Sequence, residues 1–328
     1  MAQVDLLNLK PTTISRDLKG KFILLYGEPK SGKTSMASLF PRNLLLATEV
    51  GYHALPNIYA QDIDSWATFK TVLRQLKDDQ VKAQYDTITI DTISLLSDLC
   101  EKFICSREGI KTLGDIPYGG GYALFTKEMN ETLRELSLLG YGIVFICHSE
   151  RGVRKHPVTG DDIEFVRPAL NKRTYAIVNR LVDIIGYIDV KFDGEDKSVR
   201  TLQTRETPYV FAGSRFRFLA PNFPFGYKEL ANQLHDAIES EGKLGAVIVD
   251  SPDVKESTFE RPFYMTMNEA KDIWTKLIEQ DPDNIDKMGA ITERIFGRPT
   301  KLSTVSETQQ ELLELAVIEL KSLLKTTD

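Results

Sequence analysis

Short, uniformly apolar runs alternate with helically spaced apolar positions along the first 220 residues. Lys21–Tyr26 (KFILLY), Asn43–Ala47 (NLLLA), Thr87–Ile90 (TITI) and Gly142–Cys147 (GIVFIC) are bounded and β-rich. Such runs predict strands buried on both faces, as in a parallel sheet. Thr34–Phe40, Ser65–Lys77, Ile93–Ile104 and Tyr122–Leu139 lie between or after them and are spaced as helices. The alternation predicts an α/β fold with helices on both faces of a mainly parallel sheet. Ile184–Phe192 and Ser198–Thr204, separated by Asp193-Gly194-Glu195-Asp196, predict a β-hairpin.

The pattern changes near residue 242. Residues 243–262 contain Ser251-Pro252-Asp253 and are expected to be a linker between a core over 1–242 and a small helical domain over 263–328. Helices are predicted over Met265–Glu279, capped by Thr266 or Asn268, over Asn284–Phe296, and over Glu307–Leu324, capped by Ser306 or Ser303. In the last of these, Leu312, Leu315, Ala316, Ile318, Leu320, Leu323 and Leu324 form a broad apolar face suited to helix packing.

Composition adds limits. The chain has 328 residues, 42% hydrophobic and 27% charged, which suits one large domain and a smaller one. No apolar run reaches the roughly 18 residues of a membrane span, and the first thirty residues lack the basic-then-apolar order of a secretory signal. Cys100, Cys105 and Cys147 are not at metal-ligand spacing, so buried thiols in a reduced cytoplasmic protein are expected. The net charge of −6 argues against nucleic-acid binding by the whole surface, though not by a local groove. Residues 252–328 hold 15 Asp/Glu against 10 Lys/Arg, a net of −5, which leaves 1–251 at −1.

The strongest chemical signal is Gly27-Glu28-Pro29-Lys30-Ser31-Gly32-Lys33-Thr34, followed by Ser35, which matches the P-loop pattern between a predicted strand and a predicted helix. A polyphosphate requires several backbone N–H groups aimed at it and a close backbone approach. Gly27 and Gly32 permit that wrap, Lys33 is the β/γ-phosphate cation, and the Thr34 hydroxyl is a Mg²⁺ ligand. A nucleoside triphosphate with Mg²⁺ is therefore the expected ligand, ATP and GTP being left open by the motif.

Other strand ends supply further groups. Asp91 closes TITID and is either a Mg²⁺ partner or the cap of the helix that follows, or both. Glu49, two residues past NLLLA, is a candidate to orient or deprotonate the attacking water, or else a solvated loop carboxylate. His148 follows GIVFIC as a candidate γ-phosphate sensor, or a packing residue.

The residues GEPKSGKTSMASLFPRNLLLATEVG (27–51), YDTITIDTISLL (85–96), DIPYGGGYALF (115–125), GYGIVFICHSE (140–150) and RLVDIIGYIDV (180–190) together resemble a RecA-like P-loop NTPase core. The closer similarity is to phage AAA-type ATPases of the Sak single-strand-annealing and recombinase group, over about residues 20–235. Two departures stand out: His148 occupies the position of RecA's glutamine sensor, and no amino-terminal oligomerisation domain is recognised. The resemblance implies that the segments Ser106–Tyr122 and Ser149–Arg173 face single-stranded DNA. The second contains Arg151, Arg154, Lys155, His156, Arg167, Lys172 and Arg173, a cationic track for phosphates, with Tyr118, Tyr122 and Tyr175 as stacking candidates. A solvated loop, its charge diluted by Asp161 and Asp162, is the alternative. The resemblance also implies a homo-oligomer whose site is completed in trans, with Arg205 and Arg215 as candidate fingers unless they pair with Glu206.

The expectation is thus a DNA-stimulated Mg²⁺-ATPase of phage-type recombination, annealing or repair, acting in the host cytoplasm. The helical tail is expected either to dock a partner such as a single-strand-binding protein or to stabilise the chain. A DNA-independent ATP switch or loader is the first alternative. A small-molecule kinase is the second, and it would need an arginine-rich lid that the sequence does not show.

Overall fold

The computed structural model describes residues 7, 11–192, 198–251 and 262–324. The turn 193–196 of the expected hairpin, residues 252–261 of the expected linker and residues 325–328 lie outside the described residues.

In chain order the strands are β1 (Thr13–Ser15), β2 (Phe22–Gly27), β3 (Asn43–Ala47), β4 (Tyr59–Asp62), β5 (Thr87–Asp91), β6 (Gly142–Lys155), β7 (Asp162–Pro168), β8 (Ile184–Phe192), β9 (Ser198–Gln203), β10 (Gly213–Ser214), β11 (Asn222–Pro224) and β12 (Val247–Val249). The α-helices are α1 (Lys33–Ala37), α2 (Trp66–Gln75), α3 (Asp79–Gln84), α4 (Ile93–Glu108), α5 (Gly120–Ser137), α6 (Lys172–Leu181), α7 (Tyr227–Gly242), α8 (Phe263–Gln280), α9 (Asn284–Phe296) and α10 (Gln310–Leu323). The chain divides into two compact units, within 6–255 and within 256–328.

The larger unit is built on a sheet of order β11-β9-β8-β2-β6-β5-β3-β4. From β8 to β4 every pairing is parallel, while β9, β10 and β11 add antiparallel strands at the β8 side. The alternation of side chains along each strand feeds two cores. Leu24 and Tyr26 of β2, with Phe145 of β6, pack with α2, α4, α5 and α6 through Trp66, Leu96 and Phe125. Ile23 and Leu25 of β2, with Val144 of β6, pack on the other face with α1 and α7 through Met36, Phe40 and Leu234. Apolar runs without polar interruption were the signature of strands covered on both faces, and these strands are covered on both.

Several boundaries differ from expectation. Strand β6 runs on past Cys147 to Lys155 and forms an antiparallel hairpin with β7, so Ser149–Pro168 is not a loop. Helix α1 stops at Ala37 rather than Phe40. The cap of α4 is Thr92, whose hydroxyl accepts the Leu95 N–H, and Asp91 has no capping role. In the segment read as a linker, β12 pairs in parallel with β1, so those residues belong to the larger unit.

Buried Lys21 ties β1 to the start of β2. Its ammonium donates to the Ser15 carbonyl (2.7 Å), the Ser15 hydroxyl (3.0 Å) and the Asp17 carbonyl. Burial pushes its pKa down to about 8, against the opposing charges of Asp17 and Asp183. A folded value below the unfolded 10.5 means that charging Lys21 opposes folding. Its favourable contribution is therefore present above about 10.5 and lost as pH falls through about 8. Denaturant unfolding of Lys21→Met should show a flatter rise in stability across that window than the parent protein; identical pH profiles would refute this.

The smaller unit has its own core, in which Met267, Ile273 and Leu277 of α8 meet Met288 of α9 and Leu313, Val317 and Leu320 of α10. The buried face of α10 is thus Leu313-Ala316-Val317-Leu320, whereas Leu312, Leu315 and Ile318 of the expected apolar face are exposed. Thr266 and Asn268 lie inside α8, which begins after Pro262. Ser306 does cap the last helical segment, in a capping box with Gln309. Among the described residues no helix is long and apolar enough to cross a membrane.

Candidate nucleotide-binding site

Sheet register brings the strand ends together. Gly27, the last residue of β2, lies beside His148 on β6 and Ile188 on β8. On the next strand Asp91 lies beside Ile146 of β6 and Ala47 of β3. A strand, β6, therefore separates the P-loop strand from the strand that carries Asp91. The loops and helix starts past these residues form the carboxyl edge of the parallel sheet, where open α/β folds bind ligands.

The P-loop has the backbone such a site requires. Gly32 (φ 99°) and Lys30 (φ 64°) are left-handed, and a Cβ on Gly27 would stand 3.1 Å from the Ile188 carbonyl. Glu28, Pro29, Lys30 and Ser35 are exposed, whereas Ser31 and Lys33 are buried. Lys33 Nζ donates to the carbonyls of Gly27 (2.9 Å) and Glu28 (2.8 Å). Burial lowers its pKa, while Asp91, Glu49 and Glu28 pull the other way.

Thr34 and Asp91, distant in sequence, meet directly, the Thr34 hydroxyl donating to Asp91 Oδ2 at 2.5 Å. Burial raises the Asp91 pKa, and the Glu49 charge adds to the rise, against the Thr34 hydrogen bond, Lys33 and His148. The Glu49 charge beside it is one that a divalent cation at this carboxylate would offset.

Glu49 is positioned by its neighbours. Its Oε1 accepts from the Thr92 hydroxyl (3.1 Å) and lies 3.4 Å from His148 Nε2. Thr92 N in turn donates to the Thr48 hydroxyl at 2.8 Å. Ser149 Oγ reaches Glu28 Oε1 at 3.2 Å, so the residue after His148 touches the P-loop. Thr48, Thr92 and Ser149 escaped sequence reasoning because their roles depend on neighbours across the sheet.

The site fits a Mg²⁺-nucleotide. Ser31 Oγ in the P-loop and His148 Nδ1 beside it are buried polar atoms with no hydrogen-bond partner among the described residues. Among the described residues no group of three or more His, Cys, Asp or Glu could hold a metal. A hydroxyl and one carboxylate are what Mg²⁺ uses when phosphate oxygens and waters complete its shell.

The residues expected to meet DNA divide into two sets. On the β6–β7 hairpin each cation has an acidic partner: Arg151 with Glu164 (3.4 Å), Arg154 with Glu206 (2.8 Å), Lys155 with Asp162 (2.8 Å) and Arg167 with Glu150 (2.7 Å). The expected cationic track is charge-balanced there. Lys172 and Arg173 instead open α6, and the Arg173 guanidinium lies 3.9 Å from the ring centroid of Tyr122, in the first turn of α5. Tyr118 is fully exposed, whereas Tyr175 is half-buried with its ring 5.5 Å from that of Phe211 in a T-shaped contact. Glu206 pairs with Arg154, not with either finger candidate. Arg215 is held by Asp183 at 3.0 Å, at the opposite end of the sheet from the P-loop, since Asp183 also binds Phe22 N. Arg205 is exposed and donates at 3.5 Å to the carbonyls of Arg217 and Leu219. All three cysteines are buried and free.

A family model described as an AAA domain matches residues 19–216, more than half of the chain and all of the strand ends above. The SPbeta prophage-derived uncharacterized protein YorG of Bacillus subtilis (strain 168) is 27% identical over 330 residues, covering 98% of this chain and 99% of that protein.

Proposed function

This chain belongs to the AAA-domain family, and from that premise we propose that it is a Mg²⁺-dependent, RecA-like ATPase that acts on single-stranded DNA in phage-type recombination, annealing or repair. Gly27–Ser35 wraps the triphosphate with backbone N–H groups, and Lys33 leaves the Gly27 and Glu28 carbonyls to pair with the β- and γ-phosphates. Thr34 and Asp91 would hold Mg²⁺, which when bound offsets phosphate charge. Glu49, fixed by Thr92 and His148, orients water and takes its proton. His148 reports the γ-phosphate through the ring whose Nδ1 has no partner among the described residues.

The contact of Arg173 with Tyr122 carries the DNA reading. It joins the two segments that a RecA-like core turns toward DNA, and it pairs an aromatic face with a cation beside Lys172. The phage setting is supported by the prophage origin of the relative. In this reading the protein works as a homo-oligomer with Arg205 reaching a neighbour's site, and the helical unit docks a partner such as a single-strand-binding protein.

A second reading, a DNA-independent ATP switch, is favoured by the ion-paired hairpin, which leaves little free positive charge. ATP turnover with and without single-stranded DNA separates the two. The expected result is stimulation by DNA, which Tyr122→Ala and Arg173→Ala reduce, alongside DNA binding weakened about tenfold, the equivalent of one stacking contact. Turnover indifferent to DNA in the parent protein would favour the switch.

A further inference from the structure

The second hairpin reaches the P-loop through Arg200 of β9, a residue distant from the phosphate motif in sequence. Its Nη1 donates to the Ser31 carbonyl at 3.2 Å. The guanidinium carbon lies 5.5 Å from the ring centroid of Phe225, and the Phe225 N–H donates to the Arg200 carbonyl at 3.0 Å. Main chain and side chain of Arg200 are thus held by one neighbour. The guanidinium also presses on Gly32, where an added Cβ would stand 2.6 Å from Nη1.

A trans peptide plane points its C=O and its N–H in opposite directions. Holding the Ser31 carbonyl on the Arg200 side therefore turns the Gly32 N–H to the other side of the P-loop. We propose that Arg200 is a positioning residue for phosphate binding: it pins the Ser31–Gly32 peptide so that the Gly32 N–H is aimed at the nucleotide before the nucleotide arrives. The assignment rests on the ATPase reading above for its ligand, but the geometry it asserts exists without one. Gly32 lies in the left-handed region, where glycine moves freely. Without the guanidinium that peptide rotates, and the entropy of fixing it falls on nucleotide binding. Phe225 supplies the ring beside which the guanidinium rests.

Two measurements on the full chain test this. In the absence of nucleotide, amide hydrogen exchange of the segment 28–34 should quicken in Arg200→Ala while the remainder of the sheet and the thermal midpoint stay as in the parent protein. With Mg²⁺-ATP, Arg200→Ala should bind about tenfold more weakly, about 1.4 kcal/mol, and raise KM by the same factor. Its kcat at saturation should stay within about threefold, because bound phosphate restores the peptide. Arg200→Lys, which keeps one donor, should recover part of the affinity. Unchanged exchange, parental affinity, or a general loss of stability that lysine does not reverse would each overturn the assignment. A parent protein that binds no nucleotide, yet shows the exchange effect, would sink the ATPase reading and leave the positioning of Ser31–Gly32 standing.

Discussion

Replacing Lys33 by alanine is expected to abolish measurable ATP hydrolysis, a fall of about 10³-fold or more, the scale seen when a preorganised charge-stabilising donor is removed. Lys33 is buried and held between the Gly27 and Glu28 carbonyls, with the charges of Asp91, Glu49 and Glu28 acting on it. Its burial lowers the pKa, so the site already bears the cost of desolvating an ammonium whose natural partner is a polyphosphate. The alanine variant leaves those carboxylates without the Lys33 charge, which weakens ATP binding as well as turnover. Phosphate release under saturating Mg²⁺-ATP checks this, with circular dichroism to establish that the sheet is intact. Parental turnover in a folded Lys33→Ala protein would defeat the whole site.

Glu49→Gln should separate binding from chemistry. Glutamine retains the size of the side chain and an acceptor for the Thr92 hydroxyl, but it cannot take a proton. Turnover should fall by about 10²- to 10⁴-fold, the range for loss of a positioned general base, while Mg²⁺-ATP affinity changes little. Single-turnover hydrolysis and equilibrium binding of a fluorescent ATP analogue measure the two quantities. If Glu49→Gln hydrolyses ATP at the parental rate, Glu49 is a solvated carboxylate that borders the site. Because His148 lies 3.4 Å from the same oxygen, the double variant with His148→Ala should lose less than the sum of the single effects.

The strands of the core were legible because burial on both faces leaves short, bounded, β-rich runs: FILLYG is almost wholly apolar, and the buried polar pair Thr89 and Asn43 in TITID and NLLLA satisfy each other at 2.8 Å. The continuation of β6 was not. Ser149–Lys155 is polar and reads as a loop until Asp162–Pro168 is laid opposite it, when Lys155 meets Asp162 and Glu150 meets Arg167. The same pairing gives Arg151, Lys155 and Arg167 acidic partners across the hairpin, while Arg154 meets Glu206 beyond it. Charge counted along a chain ignores partners that only a fold supplies. In α10 the apolar positions outnumber those one helix face can bury, so the sequence left open which set lies inside; packing against α8 and α9 selected Leu313, Val317 and Leu320.

By itself the sequence determined the P-loop, because that motif works through contiguous backbone N–H groups, two glycines and one helix start, all local in the chain. It also determined that acidic and polar residues terminate neighbouring apolar runs. Only the tertiary structure decided that Asp91 meets Thr34, that Thr92 and His148 hold Glu49, and that Arg200 grips Ser31. These contacts join residues from 43 to 169 positions apart. They exist because the order of strands in the sheet, and not the order of residues in the chain, sets which side chains share a volume of space.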